Sequence, residues 1–291
     1  MDKEQKAIER LKLASDMSLQ AYDQPLIVTV SGGKDSAVLL HLAQAAGIPF
    51  IAQHNLTTAD APETVYHVKE TFAALEDKGI RCTVHYPIYK GARISMWTLI
   101  PKKLFPPTRL MRYCCDVLKE QGGKNRMIAT GTRWAESNKR KNRAVYEKID
   151  KIPKKRILIN DNDDTRMLFE NCQLKATRVC NPIIDWTDKD IWNYIASENI
   201  KINPLYKCGF YRVGCIGCPL ANKQKRSFEF VKYPTYKKNY ISAFNRMLLE
   251  REKAGKEIHW KTGNEVFSWW MEEYFPNQIG LFDDDDEKWE V

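Results

Sequence analysis

The sequence predicts an α/β fold in which a twisted parallel sheet is flanked by helices and followed by a helical C-terminal region. Three observations support this. Apolar, β-branched strands alternate with amphipathic helices, which is the pattern of βαβ units with right-handed crossovers. Two of these strands run into glycine-containing segments, at Ser31 and at Gly131. Beyond Cys218, aromatic residues recur at helical spacing among basic ones.

The predicted elements follow one another regularly. A helix over residues 3–18 carries an apolar stripe and is expected to pack against the domain edge. Strands are predicted at 26–30, 49–52, 80–86, 126–131 and 157–159, and helices at 37–42, 62–75 and 187–198. The last helix begins at Thr187, which caps it together with Asp190. Ligands of parallel sheets bind at the carboxyl ends of the strands, so we expect the site there.

Residues 31–36, Ser-Gly-Gly-Lys-Asp-Ser, form a segment that we call the anion loop. Backbone N–H groups at a helix start carry partial positive charge and bind phosphate. The glycines let the backbone approach an anion, Lys34 adds a mobile charge, and the hydroxyls of Ser31 and Ser36 can donate hydrogen bonds. The spacing differs from that of the kinase P-loop. The segment predicts a nucleotide phosphate site.

Composition limits the classes of protein. The 291 residues allow one large domain with an appendage, and we predict an N-terminal helix (1–24), a main domain (25–218), a helical extension (219–280) and an acidic tail (281–291). The net charge of +9 favours anionic partners, either nucleotides or nucleic acid. The charged N-terminal segment does not resemble a signal peptide, and no stretch would span a bilayer. We expect a cytoplasmic protein with reduced thiols and no membrane partner.

Four of the eight cysteines form two close pairs, and we call them the four-cysteine site. Cys114 and Cys115 are adjacent, and Cys215 and Cys218 form a CxxC motif about a hundred residues later. Four thiolates suit either an iron–sulfur cluster or zinc, and spacing alone leaves both open. The structural, buried cysteines are expected to be Cys82, Cys172 and Cys180.

Six further segments, in order along the chain, carry a resemblance to a known family. They are 113–119, 131–133 with Glu136, Ser137 and Arg140, 181–187, 190–192, 203–206 and 214–218. Together with the anion loop, which has the form of a PP-loop, they resemble the phosphoadenosine phosphosulfate (PAPS) reductase family of PP-loop ATP pyrophosphatases. The resemblance spans residues 31 to 218. It implies an adenine nucleotide α-hydrolase-like fold and an enzyme that binds ATP or a related adenine nucleotide.

The resemblance also implies roles for individual residues. In the cluster-bearing adenylylsulfate reductases of this family the paired cysteines hold a [4Fe-4S] cluster, so the ligands here would be Cys114, Cys115, Cys215 and Cys218. Lys119 would lie between cluster and bound anion. The phosphate-binding residues would be Ser31, Gly32, Gly33, Lys34, Asp35, Ser36 and Gly131. Glu63 and Thr64 would line adenosine, and Arg133 and Arg140 would bind a sulfate or phosphate group, unless they pair with Glu136 or Glu147.

Two departures from the reductases of the family point to another branch. Those reductases use a nucleophilic cysteine in a C-terminal tail, and this sequence has no cysteine after Cys218. They also usually carry a degraded loop, whereas residues 31–36 have the full ATP-hydrolysing form. The sequence fits better with a branch resembling the sulfurtransferase of DNA phosphorothioation systems, in which ATP adenylates an acceptor oxygen that sulfur then replaces.

This likeness extends the list of expected site residues. Lys34 and Asp35 would act with Mg²⁺ on the departing pyrophosphate. Cys208 would be a free thiol near the cluster, and the alternative for Cys208 is a buried, inert cysteine.

Three functions remain open at this point. The first is an ATP-dependent, cluster-containing sulfurtransferase that acts on nucleic acid or another acceptor and takes sulfur from a donor such as a cysteine desulfurase. The second is a phosphoadenylyl-sulfate or adenylyl-sulfate reductase that releases sulfite. The third is a non-catalytic component that binds nucleotide or nucleic acid. The two enzymatic hypotheses depend on the expectation that the anion loop and the four-cysteine site face one cleft.

Overall fold

The computed structural model describes residues 2–136, 140–149, 158–159 and 177–272. The helices are α1 (Lys3–Tyr22), α2 (Lys34–Ala45), α3 (Pro62–Glu76), α4 (Met96–Lys103), α5 (Tyr113–Leu118), α6 (Asp188–Ser197), α7 (Lys223–Lys232), α8 (Pro234–Lys253) and α9 (Gly263–Glu272). The strands are β1 (Leu26–Thr29), β2 (Phe50–Asn55), β3 (Cys82–His85), β4 (Ile88–Tyr89), β5 (Ala92–Arg93), β6 (Met127–Ala129), β7 (Tyr146–Ile149), β8 (Leu158–Ile159) and β9 (Thr177–Cys180). Short 3₁₀ turns cover Trp134–Glu136 and Pro204–Cys208.

The chain forms two units, each built from two separate stretches. The sheet unit comprises Met1–Arg93 and Val117–Gly214, and the helical unit comprises Ile94–Asp116 and Cys215–Val291. The domain boundaries proposed from the sequence stay predictions. The acidic tail, Ser137 and Cys172 lie outside the described residues.

The sheet has the strand order β3-β2-β1-β6-β9-β7-β8. The β1, β2, β3, β6 and β9 strands pair in parallel, with Val28 opposite Ala52 on one side and Ala129 on the other. This confirms the predicted fold class. The antiparallel edge of β7 and β8 was only partly expected. The predicted strand at 157–159 matches β8, but β7 and β9 were missed because their short sequences carry charged residues instead of an apolar run.

Helix α1 packs along the sheet unit as its apolar stripe predicts. Leu11, Ala14 and Met17 belong to the same buried core as the sheet residues. Arg10 is also buried, and its Nη1 donates to the Pro182 carbonyl at 2.8 Å and to Asp185 Oδ1 at 2.9 Å. The helix therefore connects to the segment that follows β9 through hydrogen bonds as well as through apolar contacts.

The helical unit has an aromatic core, in keeping with the predicted helical C-terminal region. The ring of Tyr240 on α8 lies 4.7 Å from that of Trp270 on α9 and 4.9 Å from that of Trp97 on α4. The buried Arg226 guanidinium lies 4.0 Å from the centre of the Trp270 ring. Helix α4, which precedes the first cysteine pair in sequence, therefore belongs to the same core as the C-terminal helices.

Candidate nucleotide site and four-cysteine site

The anion loop connects β1 to α2 as the sequence predicts, although α2 begins three residues earlier than expected, at Lys34. Gly33 is the N-cap and offers the helix start no side-chain hydrogen bond. Gly32 has φ +77°, and a Cβ there would lie 2.7 Å from Thr64 Cγ2. The Lys34 N–H donates to the Tyr206 hydroxyl at 2.9 Å. Burial raises the pKa of Tyr206 to about 12, so that this hydroxyl is protonated at neutral pH.

The two serines of the anion loop form hydrogen bonds within the loop. Ser36 Oγ donates to the Gly33 carbonyl at 2.9 Å and accepts from the Ser31 N–H at 3.2 Å. The Ser31 hydroxyl also lies 3.1 Å from Ser36 Oγ. Both hydroxyls are therefore at the helix start where we expected them, and they hold the loop in shape.

Three distant segments support the loop. The amide of Asn203 donates to the Gly32 carbonyl at 3.1 Å and to Thr64 Oγ1 at 3.0 Å, and both side chains are buried. Gly131 follows β6, and a Cβ there would lie 3.0 Å from the backbone carbonyl carbon of Asp35. The structure thus brings Thr64 and Gly131 to the loop, and a glycine is needed at 131 for close packing.

A buried arginine links the loop to α6. Arg133 is 1% exposed, and its guanidinium donates to Asp35 Oδ1 at 2.7 Å, Asp188 Oδ1 at 2.8 Å and the Trp186 carbonyl at 3.2 Å. Lys34 Nζ lies 3.2 Å from Asp188 Oδ1 and 3.5 Å from Asp35 Oδ2. Burial tends to raise the pKa of Asp188, but the Lys34 and Arg133 charges outweigh it and lower the pKa.

Sequence reasoning missed Asp188. The only signal was its place between Thr187 and Asp190, the two residues of a predicted capping box. That box is confirmed, since Thr187 Oγ1 accepts from the Asp190 N–H at 3.2 Å and Asp190 Oδ2 accepts from the Thr187 N–H at 2.7 Å. The cap fixes the first turn of α6 and with it the backbone of Asp188.

The second predicted anion-binding arginine, Arg140, is paired with one protein carboxylate. Arg140 forms an ion pair with Glu136, and Arg143 pairs with Glu147 at 2.6 Å. Glu136 Oε1 also accepts from the backbone N–H of Arg133 at 3.1 Å. Arg140 thus forms the ion pair with Glu136 that the sequence left open as the alternative to anion binding. Arg133 instead pairs with Asp35 and Asp188. Binding of substrate by either arginine stays a prediction.

The remaining predicted residues of the sheet unit have distinct surroundings. Glu63 lies in the first turn of α3 and is partly exposed. Lys119 is exposed, and its carbonyl accepts from the Asn55 amide at 2.7 Å. Cys208 is an exposed free thiol at the end of a 3₁₀ turn, so it is not a buried cysteine. The roles of Lys119 and Cys208 next to a cluster stay predictions.

Two other thiols of the sheet unit have structural surroundings. Cys82 Sγ lies 3.7 Å from the Phe72 and Ile80 carbonyls, and burial raises the pKa of this thiol to about 11. Cys180 is buried, with its Sγ 3.8 Å from the Arg10 carbonyl. Both surroundings fit the predicted structural role, although Cys82 is only partly buried.

The helical unit contains all of the four-cysteine site. Cys114 and Cys115 lie in the first turn of α5, while Cys215 and Cys218 form a tight turn in which the Cys218 N–H donates to the Cys215 carbonyl at 3.3 Å. Cys114 and Cys215 are buried and the other two are partly exposed. The two halves of the site, about a hundred residues apart in sequence, are therefore parts of one unit.

Buried polar groups hold the CxxC turn. Gly217 has φ +68°, its N–H donates to Glu229 Oε2 at 2.8 Å, and a Cβ there would lie 2.4 Å from Phe230 Cζ. The Tyr240 hydroxyl donates to the Ile216 carbonyl at 3.0 Å. The sequence identified the cysteines but not the residues that hold their turn. Glu229 lies on α7 and Tyr240 on α8, and neither belongs to the CxxC motif.

The sulfurs of the four-cysteine site influence one another. Three effects raise the pKa of Cys114. From the largest to the smallest, they are a hydrogen bond to Cys115, burial, and the charges of Cys115, Cys218 and Cys215. Arg112 Nη2 lies 3.6 Å from Cys115 Sγ. Among the described residues, however, no group of three or more His, Cys, Asp or Glu side chains is arranged to hold a metal ion. The donor set fits a thiophilic centre by its chemistry, since a metal would replace the thiol protons, and the ligand geometry stays a prediction.

The fold defines a class: α/β proteins with a mostly parallel sheet, here with a glycine-containing loop between the end of β1 and the start of α2. A family model described as phosphoadenosine phosphosulfate reductase domain matches residues 25–221, and the chain belongs to this family. An adenosine 5'-phosphosulfate reductase of Bacillus cereus is 22% identical over 68% of this chain and 75% of that protein. An uncharacterized protein of Methanocaldococcus jannaschii, MJ0066, is 28% identical over 70% of this chain, which spans only 39% of that relative.

Two solved structures are more distant. A PAPS reductase from Candida auris has a TM-score of 0.43 at 16% identity, over 69% of this chain and 87% of that chain. The U34-tRNA thiolase NcsA from Methanococcus maripaludis, solved with its [4Fe-4S] cluster, has a TM-score of 0.39 at 12% identity, over 87% and 81%. At these scores neither adds to the family assignment. In the part of the chain that the structure describes, no helix is long and apolar enough to cross a bilayer.

Proposed function

We propose that this protein is an ATP-dependent sulfurtransferase that adenylates an acceptor oxygen, with nucleic acid as a candidate acceptor. One observation carries the proposal. The complete Ser-Gly-Gly-Lys-Asp-Ser loop lies at the start of the 12-residue helix α2. The N-cap residue of this helix is Gly33, which has no side chain to cover the helix start. Such an end favours a phosphate group, and the support of the loop by Thr64, Asn203 and Gly131 keeps it preformed.

The chemistry assigned to the loop is attack of the acceptor oxygen on the α-phosphorus of ATP. The new bond joins the acceptor oxygen to the α-phosphorus, and the bond from this phosphorus to the bridging oxygen breaks, so that pyrophosphate leaves with the electron pair. Backbone N–H groups at the start of α2 and the ammonium of Lys34 would stabilise the developing charge. The terminal sulfur of a Cys208 persulfide would then attack the activated acceptor and displace AMP, and a reducing thiol would cleave the resulting disulfide to release the thiolated acceptor and the Cys208 thiol. Asp35, oriented by Arg133, would hold Mg²⁺, which neutralises phosphate charge.

The four-cysteine site would hold the [4Fe-4S] cluster, which when bound supplies a site for activating sulfur. Burial of Cys114 and Cys215 limits access of water to that side of the site. The Arg112 guanidinium, 3.6 Å from Cys115 Sγ, would offset part of the negative charge that four thiolate ligands bring to the site. The exposed Cys208 thiolate would take a sulfur atom from the persulfide of a donor such as a cysteine desulfurase, releasing the donor thiolate.

The first test measures pyrophosphate release from ATP by the purified holoprotein with DNA, tRNA or no acceptor. We expect acceptor-dependent release, and a fall of about 100-fold in Lys34→Ala, the range seen when a charge-stabilising group is removed. Lys12→Ala, an exposed lysine of α1, is the control and should keep full activity. Circular dichroism of both variants checks that they fold.

The alternatives give different results in the same assay. Sulfite release from adenylyl sulfate with a thiol reductant, without pyrophosphate release from ATP, would establish the reductase, which the Bacillus cereus relative favours. Nucleotide binding with neither product would support the non-catalytic component.

The second test measures iron, acid-labile sulfide and zinc in anaerobically purified protein. We expect about four irons per chain, and loss of most of the iron in Cys115→Ser and Cys218→Ser because each removes a thiolate ligand. Cys208→Ser is the matched control and should keep its iron, since this thiol lies in the sheet unit. Stoichiometric zinc without iron, or iron retained in both ligand variants, would contradict the cluster assignment.

A further inference from the structure

Asp188, the first residue of α6, lies directly against the lysine of the anion loop. Its Oδ1 lies 3.2 Å from Lys34 Nζ and accepts from Arg133 Nη2 at 2.8 Å. The Asp188 side chain is 62% exposed, whereas the Lys34 side chain is only 9% exposed. The carboxylate thus reaches the lysine from the solvent side, which is the side open to an incoming anion.

Two cations and two carboxylates at the loop form a closed set of ion pairs. Lys34 and Arg133 are cations, Asp35 and Asp188 are anions, and each cation lies within 3.5 Å of both carboxylates. The lysine that the loop would offer to a phosphate is therefore already paired. A phosphate bound next to Lys34 would also lie next to the Asp188 carboxylate, and like charges at this distance repel.

Asp188 is held in place by more than its ion pairs. The capping box between Thr187 and Asp190 fixes the backbone on both sides of it. Arg133 is itself fixed by the Trp186 carbonyl and by Asp35, so it keeps Asp188 near the loop when Lys34 leaves. Exchange of Lys34 from Asp188 to a phosphate would therefore leave the carboxylate paired with Arg133.

We propose that Asp188 is an internal competitor for Lys34, which sets the affinity of the loop for phosphate ligands. The carboxylate holds the ammonium until a ligand with enough negative charge displaces it, so pyrophosphate and triphosphate groups are favoured over a single phosphate. This assignment rests on the proposed function only in taking a nucleotide as the ligand. It makes Asp188 a positioning residue that opposes binding.

The test measures dissociation constants for pyrophosphate, ATP and AMP by titration calorimetry of the full-length protein with EDTA and without added metal. Asp188→Asn should bind pyrophosphate and ATP about twofold to fivefold more tightly, the range expected from losing one partly exposed charge pair. The gain for AMP should be smaller. Asp77→Asn removes an exposed carboxylate at the end of α3 away from Thr64 and should leave the affinities unchanged. Asp188→Ser, which also removes the charge, is the second variant.

The sign of the effect separates this proposal from a structural role. If Asp188→Asn and Asp188→Ser bind pyrophosphate as the wild type does or more weakly, Asp188 is not a competitor and the proposal is wrong. Tighter binding of pyrophosphate by both Asp188 variants than by the wild type, without turnover of ATP in the pyrophosphate-release assay, would refute the proposed function and leave this inference standing. Absence of binding to wild type and both variants, with Mg²⁺ as well as with EDTA, would refute both.

Discussion

At the scale of single residues, Gly32 shows how closely the anion loop packs. An alanine there would adopt φ +77° and place its Cβ 2.7 Å from Thr64 Cγ2. We expect Gly32→Ala to lower the free energy of unfolding by about 2 to 3 kcal/mol, from a strained backbone and from the steric clash. Urea denaturation measures this.

A control and a rescue test the cause. Gly47 follows α2 with φ +63° and has no atom within 4 Å of an added Cβ. Gly47→Ala should therefore cost only about 1 kcal/mol, the backbone contribution. Thr64→Ser removes Cγ2 but keeps the oxygen that accepts from Asn203, so adding it to Gly32→Ala should recover part of the loss. Equal decreases in the free energy of unfolding in Gly32→Ala and Gly47→Ala would show that the contact with Thr64 Cγ2 does not contribute.

Some residues of the site can be identified from the sequence, and others can be identified only from the structure. The loop glycines and serines were predicted because one short motif contains them all. Arg133 and Asp188 were not recognised as a bridge, since 55 positions separate them and their contact depends on the packing of α6. The sequence shows residue types, whereas their pairing follows from the fold.

At the scale of elements, the start of α6 is the feature to test. Thr187→Ala removes the side-chain acceptor of the capping box and should lower the free energy of unfolding by about 1 kcal/mol at neutral pH. Thr187→Ser keeps the hydroxyl and is the control. An unchanged free energy of unfolding in Thr187→Ala would show that the cap contributes nothing.

The same cap should depend on pH. A hydrogen bond from Lys3, and further ones from Thr187, lower the pKa of Asp190 to about 2 from its ordinary 3.8. A lowered carboxyl pKa means that its stabilisation is present above about pH 4 and is lost as the pH falls towards 2. The difference in unfolding free energy between wild type and Thr187→Ala should therefore shrink over this range.

Periodic elements were predicted well and short polar ones were not. Strands β1, β2, β3 and β6 and helices α1, α2, α3 and α6 all coincide with apolar patterns, although their ends moved by up to four residues. Strands β7 and β9 hold four residues each and carry charges, so their place in the sheet comes from pairing with neighbours.

At the scale of the whole molecule, the parallel sheet and its ligand edge follow from the βαβ pattern, which chain connectivity nearly dictates. The composition of the two units does not follow from the sequence. The chain passes between them at residues 93/94, 116/117 and 214/215, and no change in composition marks these points. That the anion loop and the four-cysteine site share a cleft stays a prediction.

The interleaved helical unit has a consequence for biosynthesis. Cys114 and Cys115 leave the ribosome about a hundred residues before Cys215, and the α7 to α9 helices of their unit come later still. During that interval the nascent chain exposes two adjacent thiols that have no CxxC turn to join. A metal centre held by all four cysteines therefore cannot be completed before Cys218 has been synthesised, and until then Cys114 and Cys115 are open to oxidation as an unligated pair.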